Sequence, residues 1–429
     1  MVHVAPSILL AVFLSLIIPT SPLNLNLQPQ SASTRRRFLS NSIITPVIAA
    51  PFVAGSGVLA DADIRPPPPL YKAWSAGDGF QDNTFISFSL DSYKSMVDDK
   101  SRTPAFKLAI SSRLSLHPPL TQVVMDLGTG PFAILAIQAA KSGARKVYAV
   151  EAIAKAADLA KAAVKKAERK GEIPPGVIEV IEGLSTRIDL PEKVDLCVSE
   201  IVGSISSEEG LHASLRDAHL RHVKDPRSPS SFIPVRAQTL AAPASYTLHK
   251  AMGPPEYDWG RLVEPVRFNC RDPALQIMAD PMIAEDISFF SSPDFPPPGR
   301  YDPAGRRLEF KFEDVRLRAN EESYYKELKR AGSPESEASE LAGELSRSLS
   351  GFAFWPRLLL DPEGTIAVES RGPNGEGRKS HWQTVLAITS DRPVEVNVGD
   401  GVGVDIVEIL GKEVDEPIKY ELKGATVKV

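Results

Sequence analysis

The residues best suited to chemistry are two acids nine positions apart. Glu200 and Glu209 bracket the stretch Ser199-Glu200-Ile201-Val202-Gly203-Ser204-Ile205-Ser206-Ser207-Glu208-Glu209-Gly210. It reads as a small polar, hairpin-like loop with an acid at each end. Two carboxylates facing one another can clamp a guanidinium, each pairing with two of its five N–H donors. A guanidinium gives up its proton only above a pH of about 12. A site that works on one must therefore localise its charge away from one nitrogen and aim that nitrogen's lone pair. One of the acids can accept the departing proton late. The run Lys193 to Glu200, KVDLCVSE, is an apolar strand closed by the first acid, and strand ends of this kind carry functional residues in open α/β sheets.

A second constellation lies upstream, in Val123 to Glu151: VVMDLGTGPFAILAIQAAKSGARKVYAVE. A short apolar run ends in Asp126. A turn with Gly128 and Gly130 follows, then an apolar helix from about Pro131 to Lys141. A second apolar run closes on Glu151. This is a βαβ unit that binds a nucleotide-like cofactor at the carboxyl ends of its strands. The glycines allow a tight turn and close approach of a ligand, and the helix start offers unpaired N–H groups. Glu151 falls where a carboxylate can grip both hydroxyls of a ribose. No Gly-Lys-Ser/Thr follows, which argues against a triphosphate loop. The third glycine of a dinucleotide site is replaced by Phe132, which leaves less room against a pyrophosphate. A cofactor without phosphates, such as S-adenosylmethionine, tolerates that residue better.

These sites need a frame. Residues 85 to 114 carry helical periodicity from about Tyr93, broken near Pro104, which fits the first turn of a new helix. Residues 152 to 170 are rich in Ala and Lys and form a helix ended by Gly171. Val177 to Ile181 is the next strand, followed by Gly183. From Phe232-Ile233-Pro234 onward the pattern turns to alternating β character. Strands are expected at 307–318, 351–360, 364–368, 382–388, 393–396, 403–410 and 417–427. Residues 320–349 read as a helical or irregular insertion.

The length, 429 residues, suits two domains, and a net charge of −5 gives no footprint for nucleic acid. Of the two cysteines, Cys197 sits in an apolar run and reads as a buried small residue, and no zinc-ligand cluster is present. Residues 1–62 read as a targeting leader. Ile8 to Ile18 has the length of a signal-peptide core and is short for a membrane span. Arg35-Arg36-Arg37-Phe38-Leu39 before a mildly apolar run looks like a twin-arginine signal. Two signals in tandem resemble leaders of algal plastid proteins, which implies a secretory-route leader and a plastid address, thylakoid lumen or stroma. Membrane contact is expected through this leader alone. Residues 63–84, with Pro66 to Pro69, read as an extended linker.

The Val123–Glu151 segment resembles the first motifs of class I S-adenosylmethionine-dependent methyltransferases. With the acid loop it is similar, more closely, to the protein arginine N-methyltransferases. That family's double-glutamate loop starts Ser-Glu, has glycine three residues after the first Glu and a second Glu nine residues after it. Glu200, Gly203 and Glu209 match, and Glu208 lies one place off. The family pattern Met, Asp, Arg-Thr before an apolar helix is matched by Met96, Asp99 and Arg102-Thr103. The resemblance implies that Arg102 pairs with the cofactor carboxylate, that Met96 lines the methyl-donor or substrate site, and that Asp99 pairs with a later histidine. Ser380-His381-Trp382 looks like the family's Thr-His-Trp loop, which makes His381 the partner of Asp99 and Trp382 a wall of the arginine pocket. Two tyrosines usual in the asymmetric-dimethylating members are replaced by Phe85 and Phe88 in roughly that region. The family's acid for the adenine amine is missing at Leu184-Ser185-Thr186.

The expectation is an α/β fold: a Rossmann-like methyltransferase domain over residues 85–234, then a β-barrel or β-sandwich-like substrate domain over 235–429. The cofactor is S-adenosylmethionine, held by Met96, Arg102, Asp126, Gly128, Gly130, Glu151 and Gly183. The catalytic set is Glu200, Glu209, His381 and Asp99, with Trp382 and Met96 at the substrate and no metal. The substrates are proteins with exposed arginines. A homodimer is implied by the resemblance alone, through an arm around 254–290, where the residues themselves read as loops. Two alternatives stay open: a small-molecule methyltransferase of this fold, and an inactive binding or scaffold protein.

Overall fold

The computed structural model describes residues 69–76, 89–269, 272–291, 295–371, 380–412 and 416–428. The expected leader, Phe85, Phe88 and Cys270 lie outside the described residues. Strand β1 is Leu70–Ser75. Helices Leu90–Asp98 and Arg102–Ser115 follow. Ser89 caps the first, its hydroxyl accepting from the Ser92 amide at 3.1 Å. Pro104 sits in the first turn of the second, where its missing N–H costs nothing.

The first sheet is built from β2 (Val123–Leu127), β3 (Lys146–Glu151), β4 (Ile178–Glu182), β5 (Leu196–Ser199) and β6 (Phe232–Ile233). All its pairings are parallel, in the order β4-β3-β2-β5-β6. Every residue of β2 is buried, as expected for a central strand of a parallel sheet. Helix Ala154–Arg169 presents Ala156, Ala157, Ala160, Val164 and Ala167 to the sheet, an apolar stripe at helical spacing. Chain order reverses between β2 and β5, which leaves a crevice beyond their carboxyl ends. The Gly128 turn leaves β2 and the acid loop leaves β5 on the two sides of that crevice. Cys197 of β5 is a free, buried thiol, pushed up to about 12 by burial and then by Asp126.

The second half is antiparallel. Its strands are β7 (Arg236–Tyr246), β8 (Val266–Asn269), β9 (Leu275–Ile277), β10 (Met282–Ser288), β11 (Gly299–Tyr301), β12 (Leu308–Lys311), β13 (Ser348–Leu349), β14 (Gly351–Leu359), β15 (Ala367–Glu369), β16 (Gln383–Ile388), β17 (Val394–Glu395), β18 (Gly401–Leu410) and β19 (Lys419–Val427). One sheet runs β10-β7-β14-β16-β8 and the other β1-β19-β18-β11. The two share a core containing Phe352 and Phe354 of β14, Val385 of β16, Val402 and Val404 of β18, and Tyr420 of β19. These sheets form a barrel-like second half beside the Rossmann-like one.

Two expectations are corrected. Part of the stretch read as linker, residues 63–84, is a strand: Leu70–Ser75 pairs antiparallel with Lys419–Gly424 of β19. Leu70 and Trp74 are buried and Tyr71 is exposed, a two-residue alternation that the adjoining run of prolines obscured. The strand expected over 307–318 stops at Lys311, and a helix, Asp314–Arg330, begins with an acid in its first turn. It packs on helix Glu335–Ser346 through Tyr324, Leu328, Ala338, Ala342 and Leu345. Residues 254–290 hold β8, β9 and β10, folded back onto the barrel sheet.

Candidate active site

The site is one cavity of about 810 Å3 lined from both domains. Its floor is the β2 turn. Gly128 has φ +76°, and a Cβ there would lie 2.7 Å from Ile201 Cγ2. Gly130 has φ +63° and faces the Tyr93 ring, 3.5 Å from where its Cβ would be. The left-handed backbone is the physical reason for glycine at both. Phe132 is on the cavity wall and 38% exposed, so the space beside it is open.

Asp126 is buried at the end of β2. One carboxylate oxygen accepts from the Thr129 hydroxyl at 2.5 Å and the Ala136 amide at 2.9 Å, tying the turn to the helix behind it. Burial pushes its pKa up to about 6. Asp126 is thus a brace for the turn and does not line the cavity. Glu151 does line it. Its two oxygens accept from the Gly130 and Ile153 amides, both at 2.9 Å, and burial raises its pKa. Gly183, at φ +145°, lines the same wall beside Ser185, and a Cβ there would lie 2.5 Å from Ile188 Cγ2.

Arg102 enters from the start of helix Arg102–Ser115 and forms an ion pair with Glu200. Its Nη1 donates to the Met96 carbonyl at 3.1 Å, and its guanidinium lies 5.6 Å from the Phe106 ring centre. Its buried Nε–H has no acceptor among the described residues. Met96 is half-buried and lines the cavity.

Asp99 and His381 meet as the resemblance implies. One Asp99 oxygen lies 3.1 Å from His381 Nδ1 and also accepts from the His381 amide at 2.9 Å and the Ser380 hydroxyl at 3.1 Å. The other accepts from the Ser101 and Arg102 amides, both at 2.9 Å. Burial opposes ionisation of Asp99, but the bond from His381 and the three backbone amides outweigh it and hold the carboxyl below its usual range. This cluster ties the first helices to the β16 end of the barrel. Trp382 is 3% exposed. Its Nε1–H donates to the Val202 carbonyl at 2.8 Å, which ties the barrel to the acid loop.

Glu200, Glu208 and Glu209 all line the cavity. Glu209 is pushed up to about 8 by burial, then by Glu200 and Glu208. Glu208 pairs with Arg267 of β8 at 2.6 Å. Behind the loop, Ser207 bonds Tyr420 at 2.9 Å and also bonds Glu285, while the Ser206 amide donates to Thr239 at 2.8 Å. The loop is therefore held by barrel side chains rather than left to its own turns. The expected residues thus converge on one cavity, with Asp126 and Asp99 supporting it from behind. Sequence reasoning missed Tyr93 and Arg267. Tyr93 lies three residues before Met96, on the same helical face, and that spacing was the available signal. Arg267 carried no local signal, because its partner Glu208 is 59 residues away.

No family model matches the chain. Protein arginine N-methyltransferase PRMT10 of Arabidopsis thaliana is 41% identical over 131 residues, 30% of this chain and 32% of that protein. PRMT10 of Oryza sativa subsp. japonica is 37% identical over 143 residues, 33% and 35% of the two chains. Protein arginine N-methyltransferase 6 of Danio rerio is 35% identical over 153 residues, 35% and 40% of the two chains. The match thus spans about a third of the length of these relatives. Solved structures cover more. The crystal structure of Arabidopsis thaliana protein arginine methyltransferase 10 superposes with a TM-score of 0.53 at 22% identity, over 80% of this chain and 99% of that one. The Trypanosoma brucei PRMT1 enzyme-prozyme heterotetrameric complex with AdoHcy gives 0.50 at 17%, over 78% and 98%. The long superpositions show the two-domain fold, and over about a third of its length the chain is similar to curated protein arginine N-methyltransferases.

Proposed function

We propose that this protein transfers a methyl group from S-adenosylmethionine to a guanidino nitrogen of arginine residues in proteins. One observation carries the reading: the glycine turn with Glu151 and the acids Glu200 and Glu209 line a single cavity. The residues present fit the cofactor. The Gly128–Gly130 turn leaves room that a Cβ would fill, Glu151 lines the same cavity with a carboxylate suited to ribose hydroxyls, and the buried Arg102 Nε–H lacks, among the described residues, an acceptor that a carboxylate supplies. S-adenosylmethionine supplies a methyl group on a sulfonium, transferred in one direct displacement. The chain's own residues do the rest. Glu200 and Glu209 grip the guanidinium from two sides and fix which nitrogen faces the donor. Glu209, with its affinity for protons raised by burial, takes the proton that leaves that nitrogen. His381 and Asp99 hold the first helices against the barrel, and Trp382 walls the pocket.

The test is mass spectrometry of an arginine-containing peptide library incubated with cofactor. Methylarginine is expected from the wild type, falling about a hundredfold or more in Glu200→Gln. Methylation of another residue type, or none, overturns the reading.

We further infer a homodimer and a plastid address. The dimer is supported by assembly in one structural neighbour, the Trypanosoma brucei PRMT1 enzyme-prozyme heterotetramer. The address is supported by the tandem signals in residues 1–62. Light scattering of the purified chain reads the first, and amino-terminal sequencing with imaging of the tagged full chain reads the second. A monomer or a cytosolic signal would remove each.

A further inference from the structure

The acid loop carries one carboxylate more than a clamp needs, and the barrel supplies a cation for it. Arg267 lies in β8, in register with Val385 of β16. It faces Glu208 fork to fork: Nη2 is 2.6 Å from Oε1 and Nη1 3.4 Å from Oε2. The same Oε2 accepts from the Ile205 amide at 3.2 Å, so Glu208 is folded back onto its own loop. Gly203 makes that possible. A Cβ there would stand 2.6 Å from Glu208 Cβ and 2.9 Å from its Oε2. Glu200 is engaged by Arg102. Among the described residues, Glu209 has no ion-pair partner.

We propose that Arg267 is a positioning residue for the transfer: it pins Glu208 against β8, keeps that third carboxylate away from the acceptor, and leaves Glu209 to face the incoming guanidinium. This rests on the proposed arginine methylation. A free Glu208 would compete for the substrate cation and draw it toward the barrel, off the line to the donor. The pair also sets the charge around Glu209. The groups facing Glu209 are Glu200 at the end of β5, Glu208 beside it, Tyr93 from helix Leu90–Asp98, Arg102 from the next helix and Arg267 from β8. Glu208 favours the neutral acid there, and Arg267 favours the carboxylate.

The test compares wild type with Arg267→Gln, Glu208→Gln and the double variant. Binding of an arginine peptide in the presence of S-adenosylhomocysteine is followed by calorimetry from pH 6 to 10, with kcat/KM measured alongside. In the wild type, affinity should rise with pH through about 8, as Glu209 becomes charged. Arg267→Gln should move that rise to higher pH and raise KM about tenfold, with cofactor affinity unchanged. Glu208→Gln should move it to lower pH. The double variant should return close to wild type, which lost packing alone would not produce. Arg267→Lys should recover part of the effect, since a point charge replaces a fork. If Arg267→Gln leaves the pH profile in place, or the double variant behaves like Arg267→Gln, the positioning role is wrong while the arginine reading stands. If the wild type neither binds nor methylates any arginine peptide, both fall.

Discussion

Asp99 is the side chain whose surroundings say most about how the site is held. It accepts from an imidazole, a hydroxyl and three amides, and no single replacement serves all of them. Because those bonds hold its carboxyl below the usual range, folding favours the ionised form. That contribution is fully present above the unfolded value of about 4 and is lost as pH falls through the lower folded value. Asp99→Asn should therefore cost about 2 kcal/mol at pH 7 in urea unfolding, and its gap to wild type should shrink below about pH 4. A gap independent of pH would mean that the charge is not what matters. The Asp99–His381 pairing was legible in the sequence only through the family pattern, since 282 residues separate the two. Glu200 and Glu209 were legible on their own, because both sit in one short loop. The Glu208–Arg267 pair was not, because strand register, invisible in the sequence, brings β8 to the acid loop.

The turn after β2 and the loop after β5 act as one element, because Gly128 packs against Ile201. Gly128→Ala places a Cβ in a left-handed position and 2.7 Å from the Ile201 side chain. It should destabilise the fold by about 1–3 kcal/mol and weaken S-adenosylmethionine binding measurably in calorimetry, with the larger loss at the cofactor. Equal affinity in the variant would remove the turn from the cofactor site. The βαβ unit was readable because hydrophobic runs, glycines and terminal acids repeat at strand and helix lengths. The helix after the turn begins at Ile134 rather than Pro131, since Ala133 takes a left-handed conformation at φ +46°. Strand β1 was hidden because six residues of alternation carry little signal beside four prolines. Only the first turn of helix Asp314–Arg330 fell within the strand expected over 307–318, because β12 runs almost directly into it.

At the scale of the molecule, the two halves are interleaved rather than strung in series. The chain lays down β1 of the barrel, crosses to build the whole parallel sheet, and returns to finish the barrel. Trp74 of β1 stacks on Tyr420 with ring centres 5.0 Å apart, and Tyr420 in turn bonds Ser207 of the acid loop. The first strand of the barrel thus reaches the acid loop through two contacts. Deleting residues 1–68 should leave stability and activity unchanged. Deleting residues 1–76 removes the buried Leu70 and Trp74 and should cost about 3–6 kcal/mol, visible as a large drop in Tm with loss of methylation. Equal melting of the two truncations would show that β1 adds nothing.

The start of β1 lies opposite Gly424 and the last strand runs only a few residues beyond it. The first and last described strands therefore share one corner of the barrel. A short bridge there would close the backbone into a ring, and the polypeptide could be reopened at an exposed turn elsewhere. Such a rearranged gene should encode the same cleft from a different first residue.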